Sequence, residues 1–288
     1  MRDGLPHYPG LKGSLRYILL LTKPLGASLG AGRKNGMNDR SISWSYGGGT
    51  QTVAILVLIA QGKLPVPRLA IMADTGRERS STWRYLEQHA LPLMQQLGIE
   101  FHRAGHDLAT VDLYAGTGDL LLPAFTTTGK LPTFCSDKWK RLVVRRHLRQ
   151  LGYGPTKPIV EWLGMSLDEI HRMKQSDVQW IETRWPLVFD VPLRRVECET
   201  IIQRYGLPLP AKSACWACPH LSNDEWRDIR DHDPDDFDRA IRLDAEIRVA
   251  DKHGGVFLHR DRVPLAHADI DTQQPELPLF ECANSCWT

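Results

Sequence analysis

Residues 45–52 read Ser-Tyr-Gly-Gly-Gly-Thr-Gln-Thr, and this glycine-rich stretch constrains the fold more than any other part of the chain. Leading into it, Ile42, Trp44 and Tyr46 alternate as in a strand; behind it, Val53 to Ala60 is an unbroken apolar run of helical length. A strand that turns through glycines straight into a helix is the opening unit of a parallel sheet wrapped by helices. Glycines let backbone N–H groups close on an anion without side-chain obstruction, and the helix start adds its positive end. The hydroxyls of Ser45, Thr50 and Thr52 can donate to the same oxygens. Ser45, Gly47, Gly48, Gly49, Thr50, Gln51 and Thr52 are therefore a candidate phosphate cradle. The stretch has neither the Gly-Lys-Ser/Thr of a Walker loop nor the spacing of the dinucleotide fingerprint. The plainer alternative is a turn whose glycines serve only tight strand-to-helix packing.

The alternation continues downstream. A second apolar strand, Leu69 to Ala73, ends at Asp74, followed by a helix over about Ser80 to Leu97 capped by Ser80 or Ser81, and a short strand near Ile99 to His102. Periodicity is lost between Gly105 and Pro132, which predicts a loop region able to cover a site. Next come a basic helix from about Asp137 to Leu151, a strand at Ile159 to Leu163, a helix at Leu167 to Lys174 and a strand or turn near Trp185 to Phe189. Glu197 to Tyr205 reads as a helix, and Asn223 to Lys252 as two helices broken at Pro234. The expected fold class is α/β: a Rossmann-like parallel sheet flanked by helices, with a helical C-terminal metal-binding region. With 288 residues the chain has room for a core and an appended region, placed at 41–205 and 206–288.

The net charge of +2 conceals an asymmetry. The first 36 residues hold six bases and one acid, so the remainder is net −3. A mildly acidic body offers no general attraction for nucleic acid or an anionic membrane. Residues 1–40 are set apart as a basic leader, either a tail or, if Met37 is the start, translated upstream sequence. The apolar run Tyr17 to Leu21 is too short to span a bilayer, and a cytoplasmic protein without a membrane partner is expected. Six cysteines are too few for a disulfide scaffold. The close pairs Cys215-x-x-Cys218 and Cys282-x-x-x-Cys286 point to metal or redox work in a reducing compartment. A Cys-x-x-Cys loop sets two thiolates on one side of a tight turn, as zinc and iron–sulfur sites use them. Lys138 to Arg149 holds six bases and no acid, suited to a nucleotide or polyanion, or simply a solvated helix face.

Together the motifs resemble the PP-loop proteins of the adenine nucleotide alpha-hydrolase-like superfamily, specifically the phosphoadenylyl-sulfate (PAPS) reductase-like family. Against the PP-loop Ser-x-Ser-Gly-Gly-x-Asp-Ser, Gly48 and Gly49 match the paired glycines and Thr52 the closing hydroxyl. Gly47 replaces a serine, Thr50 the variable residue, and Gln51 the aspartate. Asp74-Thr75-Gly76 is similar to the family's Asp-Thr-Gly beside the nucleotide, at a strand's carboxyl end where open parallel sheets bind ligands. Phe134 to Lys140 resembles a Cys-Cys/Thr-x-x-Leu/Arg-Lys stretch, which brings in Cys135, Lys138 and Lys140. Gly164, Asp168, Glu169 and Arg172 resemble the segment Gly-Ile-Arg-x-Asp-Glu-Ser-x-Arg, with Ser166 near the place of an arginine.

Cys135 precedes Cys215 by 80 residues, similar to the spacing of the cysteines that hold a 4Fe-4S cluster in adenylyl-sulfate reductases, with Phe134 in place of one of them. The resemblance thus implies an enzyme, a sulfurtransferase or oxidoreductase, that binds ATP or a related adenine nucleotide. It implies an iron–sulfur cluster on Cys135, Cys215 and Cys218; Cys198 is the first choice for the fourth ligand, with Cys282, Cys286 and His220 as rivals. Zinc is the alternative metal, and magnesium accompanies the family's ATP chemistry, although Gln51 lacks the carboxylate for it. Glu281-Cys282 resembles the start of the reductases' Glu-Cys-Gly-x-His, which implies a nucleophilic Cys282. Sulfonucleotide reduction and ATP-dependent sulfur insertion both stay open, the latter with a nucleic acid or a sulfur-donor protein as partner. A non-catalytic nucleotide-binding or zinc-stabilised interaction module is the rival from another class. The oligomeric state is left open.

Overall fold

The computed structural model describes residues 40–105, 113–250 and 255–272. All of the expected leader but its last residue, and both Cys282 and Cys286, lie outside the described residues.

Five strands form one parallel sheet: β1 (Ile42–Ser45), β2 (Leu69–Asp74), β3 (Glu100–Gly105), β4 (Ile159–Leu163) and β5 (Ile181–Arg184), in the order β3-β2-β1-β4-β5. Trp44 in β1 is in register with Ala70 on one side and Trp162 on the other. Every residue of β4 is buried, as expected for a strand covered on both faces. The chain winds outward from β1 to β3, then returns to place β4 and β5 on the other side of β1. The carboxyl ends of β1 and β4 therefore face a topological switch point, where open α/β sheets leave a crevice for ligands.

Helix α1 (Thr50–Ala60) follows β1 directly and packs against α6 (Arg195–Tyr205). It buries nearly its whole length, from Val53 through Ile59, because it is apolar on all sides. Helix α2 (Ser80–Tyr85) continues through a π-helical turn (Leu86–Ala90) into α3 (Leu91–Gln96). The wide turn precedes Pro92, which has no N–H for the regular ladder. The expected serine cap is not what starts α2. Arg79 occupies the cap without a side-chain bond, and the Ser80 N–H donates instead to Asp236 Oδ2 at 2.6 Å, on a helix far along the chain.

A charged joint surrounds that contact. Arg79, only 1% exposed, pairs with Asp233 at 3.0 Å and Asp228 at 2.8 Å, and Arg84 reaches Asp233 at 2.5 Å. Burial works to raise the Asp233 carboxyl, but hydrogen bonds from Ser81, Arg84 and Arg79 outweigh it and hold the group below the usual carboxylate range. These contacts fasten α2 to α7 (Asn223–His232) and α8 (Pro234–Ala250), the two helices expected on either side of Pro234.

The basic helix begins as a π-helical segment (Ser136–Arg141) and continues as α4 (Leu142–Gln150). Residues expected as a longer helix to Lys174 form a 3-10 segment (Leu167–Arg172), started by a Ser166/Glu169 capping box. The ambiguous stretch near Trp185 resolves into β5 and a one-turn helix α5 (Pro186–Phe189), whose leading proline gives up an N–H that would be unpaired anyway. Two main apolar cores result. One lies between the sheet, α1 and α6. The other joins Leu120, Leu122, Trp139, Trp216, Leu221 and Trp226 to the inner face of α8, with Cys135 and Cys218 packed at its edge. Among the described residues no helix is long and apolar enough to cross a membrane.

Candidate nucleotide and thiol site

Gly49 caps α1 without any side-chain acceptor, and the first helical bond runs from Val53 N to Gly49 O at 3.0 Å. Helix geometry leaves the N–H groups of Thr50, Gln51 and Thr52 with no intrahelical acceptor, an anion-seeking arrangement. Gly48 has φ +74°, and a Cβ there would lie 2.5 Å from Thr82 Cγ2. A Cβ on Gly164 would lie 2.7 Å from Thr52 Cγ2. Both glycines thus let α2 and the end of β4 close on the start of α1; their work is close approach. Thr52, buried, donates its hydroxyl back to Gly49 O at 2.9 Å.

The start of α1 opens on a cavity of about 320 Å³. That lies at the lower end of the range of small-molecule sites. At one end lie Gly49, Thr50 and Gln51 with Glu169, Arg172 and Arg195; the same cavity is lined by Cys135, Cys215, Cys218, Trp139 and His220. The phosphate end is held by hydrogen bonds. Gln51 Nε2 donates to Glu169 Oε2 at 3.0 Å, and Arg172 pairs with Glu169 Oε1. Arg195 Nη2 reaches Thr50 Oγ1 at 3.4 Å, and its backbone N–H donates to Asp168 Oδ2 at 2.6 Å.

The thiol end is assembled from distant segments. Cys215 pairs as an isolated antiparallel bridge with Glu78, Trp216 N–H donates to Arg77 O at 2.8 Å, and Cys218 N–H closes the turn on Cys215 O at 3.1 Å. Thr75 Oγ1 stands 3.6 Å from Cys215 Sγ, and Glu78 Oε1 stands 3.9 Å from it. Burial, with the Glu78 carboxylate adding to it, pushes the Cys215 thiol up to about 12. Arg77 lies over the Trp139 ring at 4.8 Å. Burial lowers its guanidinium while Cys215, Glu246 and Cys135 favour its charge, which places a cation beside two of the thiols. His220 Nδ1 is 3.2 Å from Lys130 Nζ; burial first, then Lys130 and Lys212, push the imidazole down to about 4. A neutral ring accepting from Lys130 keeps its other nitrogen for a second partner.

Several sequence expectations land elsewhere. Cys198 is fully buried in the main apolar core with Ile202 and Leu187, and burial pushes its thiol up to about 12. It does not line the cavity, so the first choice for a fourth ligand is corrected; of its rivals His220 does line it, and Cys282 and Cys286 lie outside the described residues. Asp74 is not on the cavity wall either. Its carboxylate accepts from Gly76 N–H at 2.7 Å and Arg103 Nε at 2.7 Å, away from the place beside a nucleotide that the resemblance implies. Of that tripeptide only Thr75 reaches the cavity. Ser45 and Gly47 line a smaller pocket with Glu161, where Ser45 Oγ donates to Glu161 Oε1 at 2.8 Å. Lys140 lines both spaces and pairs with Glu78 at 3.3 Å, whereas Lys138 is exposed and lines neither.

Arg77, Glu78, Arg195 and Ser213 were not legible as site residues. Arg77 and Glu78 directly follow the Asp-Thr-Gly tripeptide, and Ser213, which donates to Gly47 O, stands two positions before Cys215. Arg195 had a physical signal: a base in the first turn of a helix opposes its dipole, a local conflict that often marks function.

The donor types separate the two metals under consideration. Three thiols and a neutral imidazole on one wall suit iron–sulfur or zinc in kind. Among the described residues, however, no three His, Cys, Asp or Glu side chains close into a metal-holding group. Magnesium is not suited. Among the described residues Glu169 is the one acid on this wall, and its oxygens accept from Gln51 and Arg172.

Sheet order and helix packing define a doubly wound α/β fold with a cavity at the switch point. No protein-family model matches the chain, and no curated protein matches it. Among solved structures it is similar to the phosphoadenylyl-sulfate (PAPS) reductase from Candida auris in its phosphate complex. That match has a TM-score of 0.42 and 12% identity, over 70% of this chain and 86% of the other. It is also similar to the U34-tRNA thiolase NcsA from Methanococcus maripaludis with its 4Fe-4S cluster, at TM-score 0.42 and 15% identity, over 78% of this chain and 76% of the other.

Proposed function

We propose that this chain is a PAPS reductase-like enzyme that binds an adenine nucleotide at the start of α1 and performs sulfur chemistry at its cysteines. The observation that carries this reading is the shared cavity: Gly49, Thr50 and Gln51 line it together with Cys135, Cys215 and Cys218, although these thiols lie 80 and more residues from the loop. The N–H groups at the helix start would take phosphate oxygens, and Arg195 would orient them from above Thr50. Trp139 and Leu221 give the cavity an apolar stretch of wall that limits water around a reacting sulfur.

Cys135, Cys215 and Cys218 would hold an iron–sulfur cluster, with His220 the candidate for its remaining position. When bound, such a cluster supplies a site for sulfur ligation and electron transfer. Arg77 would offset the negative charge that three thiolates bring.

The test is anaerobic purification and reconstitution with iron and sulfide. The expected protein is brown, absorbs near about 400 nm and bleaches on reduction. A colourless protein with stoichiometric zinc, unchanged by reconstitution, would reduce the reading to a zinc-stabilised nucleotide-binding module.

A further inference from the structure

We infer that the cavity takes its nucleotide without a divalent cation, the phosphate charge being met by Arg195 and Arg172 with Lys140 and Lys212 farther along the same wall. This rests on the nucleotide-binding reading above and narrows it to adenine nucleotides that present their anions free of metal.

The first argument is the state of the carboxylates. Magnesium on a nucleotide is held by one or two carboxylates together with phosphate oxygens. The PP-loop position that resembles an aspartate is Gln51, whose amide is turned to Glu169. Glu169 accepts from Gln51, from Arg172 and, at 3.5 Å, from Ser166 N–H. Asp168 accepts from Arg195 N–H at 2.6 Å, and Asp74 is held by Gly76 and Arg103. Neither lines the cavity. Glu78 and Glu161 line the smaller pocket and not the larger one; Glu78 pairs through Oε1 with Lys140 while its Oε2 is buried without a hydrogen bond, and Glu161 accepts from Ser45.

The second argument is the charge of the wall. Among the described residues four bases, Lys140, Arg172, Arg195 and Lys212, face this cavity with one acid, Glu169; Lys140, Arg195 and Lys212 also pair with Glu78, Glu199 and Glu225, which do not line it. Magnesium-bound ATP has lost two of its negative charges to the metal, whereas a nucleotide carrying free phosphate or sulfate oxygens keeps all of them. Arginine suits the second because its planar fork binds such oxygens in pairs. Arg195 is the best placed of the four, since its guanidinium already reaches the hydroxyl of Thr50 at the open helix start.

Calorimetry on the full chain with ATP, adenylyl sulfate and PAPS, each in EDTA and in excess magnesium, decides the matter. At least one nucleotide should bind in EDTA with an affinity within about twofold of that in magnesium, and ATP should weaken when magnesium is added. Arg195→Gln, at a half-exposed side chain, should lower metal-free affinity about tenfold, the scale of one charge-assisted pair. Gln51→Asp should reverse the sign of that response, so that magnesium strengthens ATP binding. Binding that needs magnesium in the native chain, or an Arg195→Gln variant with unchanged affinity, overturns this inference alone. No binding of any nucleotide in either condition overturns the proposed function and this inference with it.

Discussion

The two ends of the cavity are built in opposite ways. The phosphate end is mostly local: β1, the glycine turn and the first turn of α1 are consecutive, and the pairs Gln51–Glu169, Thr50–Arg195 and Gly47–Ser213 come from afar. The thiol end is almost wholly long-range. Cys135 stands at the start of the π-helical segment, Cys215 is bridged to Glu78, and both depend on the second apolar core and on the Arg79–Asp233 joint that brings α7 and α8 against α2. A backbone cradle is complete once its strand and helix form. A set of side-chain donors is complete only once separate elements have docked, so the thiol end should be the more easily broken.

Metal removal tests this most severely. Cys215→Ser or Cys135→Ser should lower iron retained after anaerobic reconstitution by well over about tenfold while far-ultraviolet circular dichroism stays native, because a ligand matters more than the outer partners whose loss costs about 10–100-fold. Full retention of iron in both variants would place the metal elsewhere.

Next in size is the joint. Asp233→Ala leaves buried Arg79 with one acid fewer, and should cost about 3–5 kcal/mol in urea unfolding, the range for breaking a buried ion pair. Nucleotide affinity should fall less than metal loading, since the loss falls on the thiol end. The joint also predicts an acid limit. The Asp233 carboxyl is held below its usual range, so its contribution is full above the unfolded value and disappears as pH falls through the folded one. Stability of the native chain should therefore drop more steeply below about pH 4 than that of Asp233→Asn. Parallel pH curves would show that the pair contributes nothing.

The glycine turn gives a smaller effect. Gly48→Ala adds a Cβ at 2.5 Å from Thr82 Cγ2 on a left-handed backbone, and should destabilise by about 1–3 kcal/mol. Nucleotide binding by the fraction that remains folded should persist, because Gly48 makes room for α2 and does not line the cavity. Smallest is Cys198→Ala, expected to cost about 1 kcal/mol of stability through lost packing and to leave metal content untouched. A fall in bound iron there would return Cys198 to the ligand set.

The sheet was readable because its signals are local and repeated. Trp44 and Ile42 alternate with serines, β4 is an apolar run interrupted only by Glu161 and has the bounds expected of it, and Pro234 divides two helices where a proline must. Ser80 shows where such reading stops. Its N–H needed an acceptor and a serine stood ready, yet Asp236 from α8 supplies it, a partner 156 residues away that no window could contain. Asp74 shows the same limit from the other side. The tripeptide is a sound ligand motif, but Arg103 on the neighbouring strand occupies its carboxylate.

What the residues settle without a fold is the chemistry available: a glycine cradle with Gln51 in place of an acid, a Cys-x-x-Cys loop, and another cysteine 80 residues ahead of it. Which of these groups meet is a tertiary matter. Cys198 was preferred to His220 on sequence, and packing sends the first into an apolar core and the second onto the cavity wall. The reason is physical. Backbone geometry is dictated within a few residues by φ, ψ and hydrogen bonding, whereas the neighbours of a side chain depend on which apolar faces bury one another across the whole chain.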